Sequence, residues 1–136
     1  MLSALFPHLR ERRTRESAVR AFVDSLNRRQ YRRTAEYVSE DVVFSDVSGD
    51  AIKGLDRMID AVERFRKSSD WPEIVIESAD YSDGDVLLRG RLDTSVREIA
   101  GDTFWRVGFD DDMISAIEVT RANGNMTVPR FAARYA

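Results

Sequence analysis

The spacing of apolar residues changes once along this 136-residue chain, and no other feature constrains its fold as strongly. Before residues 71–72 the apolar residues recur every three or four positions, as on one face of a helix. After residue 72 they alternate with other residues, as in strands, and hairpin-length connections separate these segments. Helices grouped before strands predict an α+β fold, in which a curved antiparallel sheet wraps around three N-terminal helices and leaves a cone-shaped cavity.

The first half of the chain predicts three helices and one strand. The first helix is expected from Thr14 to about Asn27, a second short helix begins at Tyr31, and a third follows Gly54. An apolar run at residues 42–44 predicts a strand between the second and third helices.

The second half predicts four strands. They are expected around residues 74–77 and over residues 86–96, 103–109 and 113–121. Asp83-Gly84 readily supplies the positive φ values of a type I′ hairpin turn between the first two. We therefore predict one domain over residues 14–122, a separate lead segment over 1–13 and a loose C-terminal tail over 123–136.

The chain has no cysteine and a single histidine, His8, in the lead segment. The lack of cysteine excludes disulfides, zinc–thiolate sites and a thiol nucleophile, and one histidine is too few for a histidine-based metal triad. We predict neither a metal nor a cofactor, and we assign His8 no role.

The net charge of -3 argues against a dedicated nucleic-acid binder, but the charge is uneven, with nine Arg and three acidic residues in residues 1–33. This basic segment is either a solvated helix face beside an acidic sheet or a contact for phosphate or anionic lipid.

No stretch approaches the ~20 apolar residues of a membrane span, and the N-terminus lacks the pattern of a secretory signal. The expectation is a cytoplasmic protein without a membrane span.

Asp46 is the one acid at the end of a short apolar strand, directly before a Gly-containing turn. In an apolar pocket such a carboxylate handles protons. Alternatively, it caps the turn at Ser48-Gly49, since Asp commonly accepts hydrogen bonds from nearby backbone amides. The sequence leaves both roles open.

Residues 17–121 resemble the nuclear transport factor 2-like superfamily, and most of all its branch of SnoaL-like polyketide cyclases and ketosteroid isomerases. Three segments carry the resemblance: the helix-to-strand segment at residues 18–46, IKGLDRMIDAVERF at residues 52–65, and the hairpin-rich half that ends in DTFWRVGFDDDMISAIEVTR. This superfamily contains isomerases, cyclases and non-catalytic binders, so the resemblance indicates the fold more specifically than the function.

The resemblance implies that Asp46 occupies the position of the proton-shuttling aspartate of ketosteroid isomerases. In those isomerases two further side chains stabilise the enolate oxygen of the reacting substrate. This chain has a different residue at each of those two positions. Phe22 stands where the isomerases carry a tyrosine, and Trp105 stands where they carry a protonated aspartate. Phe22 has no donor and Trp105 has one indole N–H, so steroid isomerisation is not expected.

Three functions stay open at this level. The first is an isomerase- or cyclase-type acid/base reaction with Asp46 as the catalytic residue, and the second is non-catalytic binding of a small hydrophobic molecule. The third is a homodimeric assembly module, and a homodimer is also what the resemblance implies. The predicted ligand-binding residues are Phe22, Leu26, Phe44, Ile59, Leu88, Trp105 and Val107.

The arginines on the predicted strands either face the cavity or face away from it. Arg89 and Arg91 share one face of a strand, opposite to Leu88, and Arg106 lies on the next strand. If that face lines the cavity, it suits a carboxylate-bearing ligand. If it faces solvent or a partner sheet, the arginines pair with acids such as Glu118, and this second arrangement is the one we expect.

Overall fold

A computed structural model describes residues 2–121 and 125–135, and side chains from residue 9 onward within these ranges. The chain forms four helices and six strands over the described residues. In order they are α1 Leu2–Asn27, α2 Tyr31–Thr34, β1 Val38–Asp46, β2 Ala51–Lys53, α3 Leu55–Ser68, β3 Glu73–Ser82, β4 Asp85–Asp93, β5 Gly101–Asp110, β6 Met113–Arg121 and α4 Val128–Tyr135.

The six strands form one sheet in the order β2-β1-β6-β5-β4-β3. Neighbouring strands are antiparallel except β1 and β6, which run parallel. The expected antiparallel sheet is therefore mixed, because the chain leaves β1, passes through α3 and the β3–β6 meander, and returns beside β1 in the same direction. The register is irregular in β1 and β3 and, where β5 pairs with β6, in β6, and such bulges bend a sheet. The α+β class is confirmed.

Helix α1 begins much earlier than the predicted start at Thr14 and continues without a break from Leu2. Tertiary contacts at Glu11 and Arg15 hold this part of α1 on the body. The Tyr81 hydroxyl of β3 donates a hydrogen bond to the Glu11 carboxylate. The Arg15 guanidinium donates to the carbonyls of Gly84 (2.8 Å) and Asp111 (2.9 Å), in the turns of two hairpins, and stacks on the ring of Phe109. The predicted lead segment is thus the first part of α1. The side chain of His8 lies outside the described residues.

The end of the chain also differs from the prediction of a loose tail. Residues 128–135 form helix α4, whose first turn is capped where Thr127 Oγ1 accepts a hydrogen bond from the backbone N–H of Arg130 (3.2 Å). Phe131 packs edge-on against Phe65 of α3, with ring centroids 5.6 Å apart. Burial against α3 supplies the stability that a short isolated helix lacks.

The strand predictions agree with the structure in number and place in the second half. The β3–β4 hairpin turns at Asp83 and Gly84, both with positive φ (51° and 87°), as the sequence predicts. The predicted strand over 86–96 ends at Asp93 instead. The sequence did not predict strand β2, because three residues are too few to show an alternation of apolar and polar positions.

The core lies between the helices and the inner face of the sheet. Buried residues of α1 and α3 meet inward-facing residues of β1 and β4–β6, among them Val19, Phe22, Met58, Val62, Val86 and Val107. Among the described residues, no helix is both long and apolar enough to cross a membrane.

Candidate functional site

A pocket of about 70 Å³ lies between α1, α3 and the inner face of the sheet. Its wall is almost entirely apolar. Strands β4–β6 present alternate residues to it, because successive side chains on a strand point to opposite faces. The lining residues are Phe22, Val23, Leu26, Phe44, Met58, Val62, Phe65, Arg66, Pro72, Ile74, Leu88, Leu92, Thr103, Trp105, Val107, Ile117, Val119, Arg121, Met126, Thr127 and Val128.

Six of the seven residues predicted to bind a ligand line this pocket: Phe22, Leu26, Phe44, Leu88, Trp105 and Val107. Ile59 does not. Helix α3 presents Met58, Val62 and Phe65 to the pocket instead, one stripe at helical spacing. Ile59 lies one position, about 100° of helix rotation, away from that stripe and packs half-buried at its side.

Asp46 does not line the pocket, although the residue is only 6% exposed. Its Oδ1 accepts hydrogen bonds from the Ser48 backbone N–H (3.0 Å), the Ser48 hydroxyl (2.6 Å) and the Asp50 backbone N–H (3.2 Å). Its Oδ2 accepts one from the Thr127 hydroxyl (2.7 Å). The carboxylate therefore caps the β1–β2 turn and ties that turn to the start of α4.

These hydrogen-bond donors also determine the direction in which the pKa of the Asp46 carboxyl group shifts. Burial by itself raises the pKa of Asp46, but the hydrogen bonds from Ser48, Thr127 and the backbone amide of Asp50 outweigh it, so the pKa lies below the ordinary 3.8. A general base working near neutral pH is most efficient with a pKa near that pH. The environment of Asp46 is thus that of a structural cap.

The two positions that depart from the isomerase pattern both face the pocket. Phe22 of α1 and Trp105 of β5 contribute aromatic surface to opposite sides of its wall. The arrangement suits shape-based contact with an apolar molecule.

Two arginines line the otherwise apolar wall, and the sequence analysis singled out neither. Arg66 of α3 donates to the carbonyls of Pro72 (3.2 Å), Leu26 and Asn27 (3.3 Å), so it binds the C-terminal carbonyls of α1. The charge of Arg66 is favourable there, because a helix C-terminus carries partial negative charge.

Arg121, the last residue of β6, is 9% exposed. Its Nε donates to the Thr103 hydroxyl (3.0 Å), Nη1 to the Met126 carbonyl (2.9 Å) and Nη2 to the Ile99 carbonyl. The sequence does contain a signal that Arg121 faces the pocket. Alternate residues of β6 point inward, and these are Ile117, Val119 and Arg121.

The strand arginines considered for ligand binding lie on the other face of the sheet. Arg89 and Arg91 are exposed, and the Arg89 guanidinium lies over the ring of Phe104. Arg106 pairs with Asp85 at 2.7 Å, and Glu118 is its cross-strand neighbour. The outward orientation we expected is the one the structure has.

Within the part of the chain that the structure describes, no group of three or more His, Cys, Asp or Glu side chains is arranged to hold a metal ion. Among the described residues that line the pocket, none carries a carboxylate, an imidazole or a thiol. The described lining offers apolar contact, the indole N–H of Trp105, the hydroxyls of Thr103 and Thr127, and the charge of its two arginines.

The sequence profile of the SnoaL-like domain matches residues 19–127, most of the chain. The chain belongs to the SnoaL-like domain family. The matched range of this SnoaL-like protein extends from α1 to Thr127 and so includes both partners of the Asp46–Thr127 hydrogen bond. No curated protein sequence matches the chain.

Solved structures place this SnoaL-like domain in the nuclear transport factor 2-like fold. A nuclear transport factor 2-like protein of unknown function from Cytophaga hutchinsonii has a TM-score of 0.65 at 15% identity, over 77% of this chain and 87% of that one. A candidate SnoaL-like polyketide cyclase from Jannaschia has 0.70 at 12% identity, over 79% and 84%. A hypothetical protein with a ketosteroid isomerase-like fold from Catenulispora acidiphila, in complex with trimethylamine, has a TM-score of 0.67 at 11% identity, over 79% of this chain and 87% of that one. At these identities the similarity shows the fold alone.

Proposed function

We propose that this SnoaL-like protein binds a small, mostly apolar molecule in the pocket between α1, α3 and the sheet. The observation that carries the proposal is the pocket's composition, in which four aromatic rings and nine aliphatic side chains from α1, α3 and the sheet converge on one partly enclosed space. Ligand sites are commonly apolar concavities with few polar groups. We propose that this pocket is the cone-shaped cavity expected from the grouping of helices before a curved sheet.

The size of the pocket supports a small ligand. A volume of about 70 Å³ corresponds to roughly five water positions at about 10–15 Å³ each. Those waters occupy the space of a small aromatic or short aliphatic molecule. Displacing poorly hydrogen-bonded water from such a wall favours an apolar occupant.

A pocket-filling variant tests this function. Val62→Phe places a ring in the pocket, whereas Ile59→Phe adds the same ring on α3 away from the pocket lining. We expect Val62→Phe to weaken the binding of benzyl alcohol by about tenfold or more, because it occupies the ligand's space, and Ile59→Phe to leave it near wild type.

The two tryptophans provide the measurement. Trp105 lines the pocket and Trp71 does not, so benzyl alcohol should shift the indole N–H resonance of Trp105 and leave that of Trp71 in place. No shift of the Trp105 signal at any benzyl alcohol concentration, or equal weakening by the two variants, would argue against ligand binding in this pocket.

Acid/base chemistry at Asp46 is the weaker candidate. The carboxylate accepts four hydrogen bonds and lies outside the pocket lining, and its lowered pKa opposes a role as base near neutral pH. We therefore place no reaction on this residue.

We also propose that the outer face of the sheet forms a homodimer contact. Phe104 lies on β5 in the interior of the sheet and is 46% exposed on this face, beside the charged side chains of Arg89 and Arg106. An exposed aromatic residue rimmed by charges is typical of a protein–protein contact.

Phe104→Asp is expected to shift the protein from dimer to monomer, since it places a charge at the centre of that contact. Light scattering after size-exclusion chromatography measures the mass. Val47→Asp, which replaces an exposed apolar residue in the β1–β2 turn, is the matched control and should stay dimeric. A monomeric wild-type protein would contradict the contact.

A further inference from the structure

Arg121 is a buried cation whose charge nothing in its described surroundings offsets. Its three hydrogen-bond acceptors are a hydroxyl and two backbone carbonyls, all neutral. Within residues 9–121 and 125–135 it forms no ion pair, and burial is the only influence on its pKa, which it lowers. A buried charge is costly unless a counter-charge or strong hydrogen bonds compensate it.

The guanidinium also has donor capacity left over. An arginine has five N–H groups, and three are used by Thr103, Met126 and Ile99. One N–H group therefore remains on each of the two terminal nitrogens. A carboxylate is the group that such a planar pair of donors binds best.

Arg66 provides the contrast within the same wall. Its guanidinium lies at the C-terminal carbonyls of α1, near the carboxylate of Glu63 and the ring of Trp71. The negative end of the helix, an acid and an aromatic face therefore surround it. Over the described residues, Arg66 has charge compensation from the protein and Arg121 has none.

We infer that the ligand of the pocket is a small organic acid with an apolar body, whose carboxylate binds the Arg121 guanidinium. This inference rests on the proposed function and names its ligand class. The apolar body contacts Phe22, Phe44 and Trp105 in the same pocket. Thr103 holds the guanidinium in place, because its hydroxyl accepts from Nε and donates to the Gly101 carbonyl (3.2 Å).

Benzoate and benzyl alcohol are a matched pair of probes, since they share the ring and differ in charge. We expect wild-type protein to bind benzoate about tenfold to a hundredfold more tightly than benzyl alcohol, the range of a charge-assisted hydrogen bond. Both titrations follow the Trp105 indole resonance, with Trp71 as the internal reference.

Two conservative variants locate the effect. Arg121→Lys keeps the charge but loses the planar fork, and Arg66→Lys makes the same exchange in the same wall. We expect Arg121→Lys to reduce the benzoate preference at least severalfold, Arg121→Met to abolish it, and Arg66→Lys to retain it. If Arg121→Met does not fold, the two lysine variants and the wild-type ratio still decide the question.

The outcomes separate this inference from the proposed function. Equal binding of the two probes by wild-type protein would overturn the acid ligand while pocket binding stands. A benzoate preference that survives in both Arg121 variants would overturn the role of Arg121. Binding of neither probe would overturn both proposals.

Discussion

Gly90→Ala is expected to prevent the native pairing of β3 with β4 and to cost about 4 kcal/mol or more of unfolding free energy. A Cβ at position 90 would lie 2.0 Å from the carbonyl oxygen of Val75 and 3.1 Å from its carbonyl carbon. Both atoms are backbone, so no side-chain rotation relieves the clash. The irregular register of β3 between Ile76 and Ser78 lies beside this close approach, consistent with a bulge that brings the strand over Gly90.

Gly108→Ala is the matched control, because it adds the same methyl group on the adjacent strand β5. Its nearest neighbour would be a side-chain oxygen of Asp85 at 3.3 Å, which rotation can move. We expect a change within about 1 kcal/mol. Urea denaturation followed by circular dichroism gives both free energies, and a Gly90→Ala midpoint equal to that of wild type would contradict the close approach.

Asp46→Asn is expected to cost about 2 kcal/mol at neutral pH, the scale of a hydrogen bond to a buried charge. The amide nitrogen of Asn cannot accept from the Thr127 hydroxyl as the carboxylate oxygen does, and the neutral group binds the turn amides of Ser48 and Asp50 less strongly. The β1–β2 turn and the start of α4 should loosen together. Hydrogen exchange of the α4 amides measures this coupling.

The pH dependence has a definite sign. The folded-state pKa of Asp46 lies below the ordinary 3.8, so its contribution is fully present above about pH 4 and is lost as pH falls through the folded pKa. Wild-type protein should therefore lose more stability than Asp46→Asn on acidification, and the two should converge at low pH. A constant difference between them at all pH values would contradict the assignment.

A double-mutant cycle tests whether Asp46 and Thr127 act on each other. Thr127→Val removes the hydroxyl donor and keeps the shape of the side chain. Because the two groups are hydrogen-bonded, the costs of Asp46→Asn and Thr127→Val should not add. Asp50→Asn, in the same turn, serves as the control and should leave stability close to wild type.

Much of the pocket wall could be read from the sequence because it follows local periodicity. Phe22 and Leu26 belong to one helical stripe, and Trp105 and Val107 to one strand face. The prediction that Ile59 lines the pocket also came from local periodicity, and it was wrong. The stripe on α3 is wide, and only the angle at which α3 packs on the sheet selects Met58 and Val62 over Ile59.

The polar residues of the site could not be assigned in this way. The role of Asp46 depends on Thr127, 81 positions later in the chain, which brings a fourth donor to its carboxylate. The surroundings of Arg121 depend on carbonyls at Ile99 and Met126 that only the folded chain brings together. A sequence pattern shows that an acid ends a strand before a turn, but one of the donors that lower its pKa, Thr127, comes from a distant part of the chain.

The sequence by itself determined the first three helices, five of the six strands, the Asp83-Gly84 hairpin and the apolar character of the pocket, because these depend on neighbours within one or two turns of chain. Only the tertiary structure decided the parallel pairing of β1 with β6, the docking of α4, and which buried charges are compensated. Those features arise from contacts between distant segments, and no periodicity records them. The change of apolar spacing near residue 72 thus establishes the architecture, while a non-local hydrogen bond ties the Asp46 cap to α4 and Arg121 has no counter-charge among the residues that the structure describes.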